Sequence, residues 1–371
     1  MQALRTLTAH YAAARTARVG HSAAVVHVGR DVPREVVLAA GLVPVRLPGA
    51  PGRTGAGDHL FGAGIDDVAR TQLTRVLDGD LASCAGLAIG SDCEGSVRLF
   101  LHLWEVQRVE PHADVPPLAF VDCGHLPQPS TRAYNRVRFD EFVDQVARWT
   151  GRPIHDDDLA AAVATANGTR RLIRAIGELR TAAGGPRLSG ADALACIGAA
   201  FCLSPADFAV LVGALLDEAA DAPALPGVPV FLTGSSHDHA QAYELIESCG
   251  AVIVGEDHDW GGLAGQSDVD EYGPVREALV DAYWAGAPAA SGYGIAERAE
   301  QTARLAARAG ARLVIAWLRE HDPAPAWDLC GQRGALAEAG IPLLELPARP
   351  YRGAADDCVA RVDEALCGVR A

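Results

Sequence analysis

Eight short apolar runs punctuate the chain, separated by longer segments in which apolar residues recur every three or four positions. The first four runs are SAAVVHV, VPVRL, GLAIG and PLAFVD; the last four are VPVFLTG, AVIVG, RLVIAW and IPLLEL. Short apolar runs alternating with helix-length amphipathic stretches are the pattern of parallel strands in βαβ units. Each terminal third therefore predicts an open, flavodoxin-like sheet. Between them, FDEFVDQVARWTGRPIHDDDLAAAVATANGTRRLIRAIGELR has helical spacing, and IHDDDL supplies acids for a helix N-terminus. ADALACIGAAFCL and ADFAVLVGALLDEAAD continue this helical section, and the proline-containing DAPALPG reads as the linker that follows it. The pattern predicts an α/β protein made of two flavodoxin-like parallel-sheet domains with a helical middle, divided as 1–134, 135–225 and 226–371. AAGLVPVRL and EAGIPLLEL share a helix end, a glycine stop and a strand with proline at its start, which supports two similar halves only weakly.

Composition narrows the function. Of the 371 residues 49% are apolar, enough for two cores of ordinary size. No stretch reaches the roughly 18 uninterrupted apolar residues of a membrane span. The opening MQALRTLTAHYAAARTARVG lacks the apolar centre of a secretory signal and reads as an Ala/Arg-rich helix rather than a transit peptide. A soluble, cytoplasmic protein with no membrane partner is expected. A net charge of −15 argues against a nucleic-acid partner, which calls for a basic face. The chain has no lysine, which excludes a lysine Schiff base and a P-loop. Anions must then meet arginine, histidine or helix N-termini. The nine cysteines are an odd number with no C-x-x-C pair, so neither a disulfide scaffold nor an ordinary zinc ribbon is present. Most stand in apolar context, as in ALACIGAAFCL, and read as small core hydrophobes.

Ligands of open parallel sheets bind beyond the carboxyl ends of the strands. Four such ends carry polar clusters. GLAIG is followed by Ser91, Asp92, Cys93 and Glu94 at the start of a helix, a position that lowers a thiol's pKa. VPVFLTG ends in Gly234 and runs into Ser235 and Ser236, candidates for holding a phosphate or thioester oxygen, with simple helix capping as the alternative. AVIVG is followed by Glu256, Asp257, His258 and Asp259, and RLVIAW by His321 beside Asp322. Cysteine, histidine and carboxylate at facing sheet edges are ligands for iron or zinc. SGYGIAER has only G-x-G and lacks the third glycine of a nicotinamide site.

The ordered set DVPREVVLAAGLVPVRL, SDCEGSVRLFLHLWEV, TGSSHDHAQAYELIESCGAVIVGEDHDWGG and REHDPAPAWDLCGQRGALAEAGIPLLEL resembles the 2-hydroxyacyl-CoA dehydratase and benzoyl-CoA reductase subunits. The resemblance implies two flavodoxin-like domains with an iron-sulfur cluster between them. It also implies a CoA thioester substrate, an ATP-driven activator that supplies electrons, and a homodimer or a heterodimer with a homologous subunit. Carried over residue by residue, the family's cysteine ligands fall on Cys93, on Asp66 or Asp67 of GIDDVAR, on His321 of EHDP and on His258 of EDHD. Only the first is still a cysteine. Histidine in place of thiolate raises a cluster's potential, against the strong reductant that a ketyl radical demands.

Three readings follow. In the first, a 4Fe-4S cluster held by Cys93, His321 and Asp67 serves a dehydratase-like reaction, with Ser91, Glu94 and His258 as candidate catalytic residues. In the second, a mononuclear zinc or iron ion uses Cys93, His258 and His321 to polarise a carbonyl or activate water. In the third, the chain is a non-catalytic partner of a cluster-bearing homologue. Phosphates of CoA would need arginines, with Arg98 and Arg298 as candidates.

Overall fold

The computed structural model describes residues 1–371 apart from 21, 63, 287–291, 354–356 and 371; Ser291, at the head of SGYGIAER, lies outside the described residues. All eight apolar runs are strands: β1 (Ala24–Val28), β2 (Val43–Arg46), β3 (Gly86–Gly90), β4 (Leu118–Val121), β5 (Val228–Gly234), β6 (Ala251–Glu256), β7 (Leu313–Arg319) and β8 (Leu343–Arg349). Among the described residues they form two four-stranded sheets, ordered β2-β1-β3-β4 and β6-β5-β7-β8. Every pairing is parallel, as between Val26 and Leu87 or Leu232 and Ile315. The second order repeats the first, so the two sheets are the paired flavodoxin-like units that the runs predict.

Central strands β1, β3 and β7 are buried along their whole length, because helices cover both faces of a parallel sheet. This is why they read as continuous apolar runs instead of alternating ones. Between β4 and β5 the chain forms four helices, Pro129–Thr150, Asp156–Leu179, Gly190–Ala199 and Pro205–Ala220. The acids of IHDDDL act as expected: Asp158 accepts the His155 backbone N–H at 3.0 Å ahead of the second of these helices.

The covering helices are exchanged between the halves. Helix Gln2–Thr16 buries Leu7 and Tyr11 with the second sheet's Val230, Leu232 and Ile253. Tyr11 donates from its hydroxyl to the Asp238 carbonyl at 2.6 Å. In return, Leu279 and Val280 of helix Val275–Trp284 pack with Val25, Ala88 and Phe142 around the first sheet. Each such fully buried side chain contributes about 1.5–3 kcal/mol, so the exchange fastens the sheets to one another. Among the described residues no helix is long and apolar enough to cross a membrane.

Candidate functional site

In each sheet the strand order reverses beside the first strand, opening a crevice at the carboxyl ends. The loops after β1 and β3 flank one crevice, and those after β5 and β7 flank the other. The two crevices meet in a cleft of about 110 Å³ whose wall includes Cys93, Asp66, Gly234, Ser236, His258 and Arg319. The structure therefore brings together residues 66 and 319 and the cysteine after β3. It does not bring every candidate there: Ser91, Glu94, Asp67 and His321 do not line the cleft.

Cys93 is the N-cap of helix Glu94–Val109. Its sulfur accepts the Ser96 N–H at 3.4 Å and lies 3.1 Å from the Ser96 hydroxyl. The expectation of a lowered thiol pKa is overturned. Although solvent reaches the side chain, the crowded cleft wall desolvates it, and with the adjoining Asp92 this pushes the thiol up to about 12. The hydrogen bonds from the Ser96 hydroxyl and N–H pull the other way. Asp92 is itself raised to about 6 by burial and by Asp31 and Asp259, while accepting the Arg30 N–H at 2.9 Å.

The other candidates fall as follows. The Ser91 hydroxyl accepts the Cys123 N–H at 3.1 Å, tying the loop after β4 to the loop after β3. Glu94 is exposed and bonded to Arg98 at 2.8 Å on the surface of its own helix. Asp67 is half-buried beside Arg70 at 3.3 Å and feels the charge of His321. His321 itself is exposed, with the left-handed backbone φ of 62° that histidine tolerates better than bulky residues do. His258 is buried, with Nε2 at 2.7 Å from the Tyr243 hydroxyl and no partner for Nδ1 among the described residues. Burial lowers its pKa, against the opposing pull of Glu256, Asp259 and Asp257. Arg298 is buried, at 3.1 Å from Asp328 and 3.6 Å from Asp257, and so is already occupied by carboxylates rather than open to phosphates.

In the segment Gly234, Ser235 and Ser236, the Ser235 N–H and both serine hydroxyls are engaged within the chain. The Ser235 N–H donates to the Trp317 carbonyl at 2.9 Å, its hydroxyl accepts the Arg319 N–H at 2.9 Å, and the Ser236 hydroxyl donates to Asp259. The next helix starts only at Gln241. Gly234 is required for another reason: with φ of 110°, a Cβ there would stand 2.4 Å from the Trp317 oxygen. Gly234→Ala is expected to cost about 3 kcal/mol, read as a lower urea midpoint at unchanged slope.

The strongest interactions in the cleft come from arginines that end strands. Arg319, last in β7, holds Asp66 at 2.6 Å and lies 3.4 Å from Asp322. Arg46, last in β2, holds the Asp259 carboxylate and stacks its guanidinium 4.2 Å from the Trp260 ring centre. Burial opposes ionisation of Asp259, but Arg46 and Ser236 keep it below the usual carboxylate range. The signal for these residues is a cation at the carboxyl end of an otherwise apolar parallel strand.

A four-iron cluster does not fit this donor set. The cleft wall offers the single thiol of Cys93, and Asp66 is bound to a guanidinium that would repel iron. Among the described residues the one group of three possible ligands within 4.8 Å of each other is Asp31, Cys123 and His125. These are the loops after β1 and β4, and His125 Nε2 is already 2.7 Å from Asp31.

No curated protein matches the chain. A family model described as 2-hydroxyglutaryl-CoA dehydratase, D-component, matches residues 31–348, from the loop after β1 to the end of the second sheet, and so takes in β2 to β7, most of β8 and the helices between them. The chain belongs to the 2-hydroxyglutaryl-CoA dehydratase D-component family.

Proposed function

We propose that this chain is a component of a dehydratase-type system that receives an acyl thioester between its two sheets and leaves electron transfer to a cluster on a homologous partner chain. The observation that carries this reading is the Arg319–Asp66 ion pair, which stands at a position where the resemblance puts a cluster ligand. An ATP-dependent activator would then serve the partner chain.

A route for the thioester is supported by three neighbouring spaces that share wall residues. A groove of about 550 Å³, flanked by the exposed Arg304 and Arg308, shares Ser267 and Gly286 with a smaller cavity. That cavity shares Arg30 and Asp259 with the cleft at Cys93. In a chain without lysine, Arg304 and Arg308 are cations suited to the CoA diphosphate, and the acyl group would extend inward.

Anaerobic purification of the chain alone, followed by iron, acid-labile sulfide and zinc analysis, tests the reading. Neither iron nor sulfide is expected in stoichiometric amount, while saturable binding of an acyl-CoA is. Iron and sulfide in equal stoichiometric amounts would overturn it. A second reading, a mononuclear ion, is favoured by the Asp31, Cys123 and His125 group. It predicts one zinc or iron per chain without sulfide, lost in Cys123→Ser and kept in Cys93→Ser.

A further inference from the structure

Helix Glu94–Val109 turns Leu99 and Leu103 into the core of the first sheet, beside Leu87 and Ile89 of β3. Its opposite face carries large apolar side chains that the fold leaves outside. Among the described residues Leu101 is 50% and Trp104 55% exposed. The stripe through Leu101 runs Glu94, Arg98, Leu101, Glu105 and Arg108, in steps of four, three, four and three residues. All five side chains are exposed. This alternation of steps is the one that keeps a stripe facing a neighbouring helix along its length.

The charges along the stripe are self-complementary. Read from one end the order is Glu, Arg, Leu, Glu, Arg; read from the other it is Arg, Glu, Leu, Arg, Glu. Laid antiparallel on a copy of itself with Leu101 at the centre, every acid meets a base, Glu94 opposite Arg108 and Arg98 opposite Glu105, each twice. This is the relation that a two-fold axis imposes, in which residue i contacts j and j contacts i. A parallel arrangement would set each charge against its like. Within one chain the same groups pair along the helix, Arg98 Nε donating to Glu94 and Arg108 Nε to Glu105, both at 2.8 Å. Pairs of exposed side chains contribute little, so turning them towards a neighbour loses little. Trp104 flanks the stripe, and tryptophan is among the residues enriched at the buried centre of interfaces.

We infer that this chain associates with a second copy of itself through helix Glu94–Val109, the two helices packed antiparallel about a two-fold axis at Leu101. The inference is independent of the thioester reading, since none of the five stripe residues lines the cleft. At 1.5 Å per residue the helix is roughly 24 Å long, a small contact as interfaces go, so a reversible, concentration-dependent dimer is expected.

Sedimentation velocity on the full chain over roughly 1–200 μM tests it. The net charge of −15 on each copy opposes association, so the ionic strength is kept physiological, where repulsion beyond about 8 Å is screened. Dimer that grows with concentration is expected. Arg98→Glu and Glu105→Arg, each alone, set like charges across the axis and should weaken it about tenfold or more. Mixed one to one, the two variants again oppose unlike charges at every position and should dimerise with each other, although each still lacks one of the pairs along its own helix. A dimer through another surface would not show this recovery. A chain that stays monomeric throughout overturns the proposal, as does a dimer that both variants leave unchanged or a mixture that does not recover. If either variant does not fold by circular dichroism, Leu101→Glu takes its place: it sets two carboxylates at the axis and should be monomeric, and an undiminished dimer overturns the proposal.

Discussion

Arg180→Met is expected to lower the unfolding free energy by about 3–5 kcal/mol, the cost of breaking one side of a buried ion pair. Arg180 and Glu256 are both almost fully buried, and Arg180 Nη2 donates to the carboxylate at 3.0 Å. Burial alone would raise the Glu256 pKa, but Arg180, the nearby His258 and the Gly262 N–H bring it from 4.5 down to about 2. At 1.36 kcal/mol per unit the shift corresponds to roughly 3 kcal/mol, in line with the mutational figure. The pH dependence separates this cause from a packing defect. In the unaltered chain the folded pKa is depressed, so the contribution is complete above 4.5 and is lost as pH falls towards 2. In Arg180→Met the same carboxylate is buried without its cation and its folded pKa is raised, so stability is gained as pH falls. The gap between the two proteins should therefore narrow on acidification from neutrality to about pH 4. Urea titrations across that interval measure it, and Arg180→Met/Glu256→Gln should recover part of the loss. A gap that stays constant with pH would assign the loss to packing instead.

Arg319→Met is expected to cost about 3 kcal/mol or more, for a related reason with a different location. Arg319 is only 8% exposed and donates to Asp66, from the first half of the chain, and to the Ser236 carbonyl, from the second. Its removal leaves Asp66 facing Asp322, whose ionisation burial already disfavours and which Arg319 supports. Because the bond joins the two halves, the loss should appear first as local opening. Hydrogen exchange at residues 66–70 and 235–237 should accelerate at denaturant concentrations where the central strands remain protected. Arg319→Met/Asp66→Leu removes both charges and should restore most of the stability. If the double variant is as unstable as the single one, the guanidinium's other contacts carry the effect.

These ion pairs mark the boundary of what a single sequence discloses. Strands such as GLAIG and RLVIAW are legible because a parallel strand buried on both faces is apolar throughout. Their carboxyl ends are legible as a site for the same reason, and so Cys93 is found in the cleft. Pairings are not legible: Arg319 and Asp66 lie 253 positions apart. A shift of one residue also changes a side chain's surroundings, and the sequence does not decide it. Asp66, the N-cap, faces Arg319, whereas Asp67, first in helix Asp67–Leu77, turns to Arg70. Likewise Asp322 lines the cleft and His321 does not. Cys93 shows the same limit: its place at a helix N-terminus is local and readable, while the burial that raises its pKa is not.

The stacking of Arg46 on Trp260 has one more consequence. The indole is 5% exposed, with Phe201 packed edge-on at 5.1 Å, so bulk solvent has little influence on its fluorescence. Its emission wavelength depends on the electric field across the ring, and the cation stacked on it is the Arg46 guanidinium that holds Asp259. A change that moves that guanidinium or discharges its carboxylate alters this field without touching the ring, which makes Trp260 an internal optical gauge of the contact between the two halves.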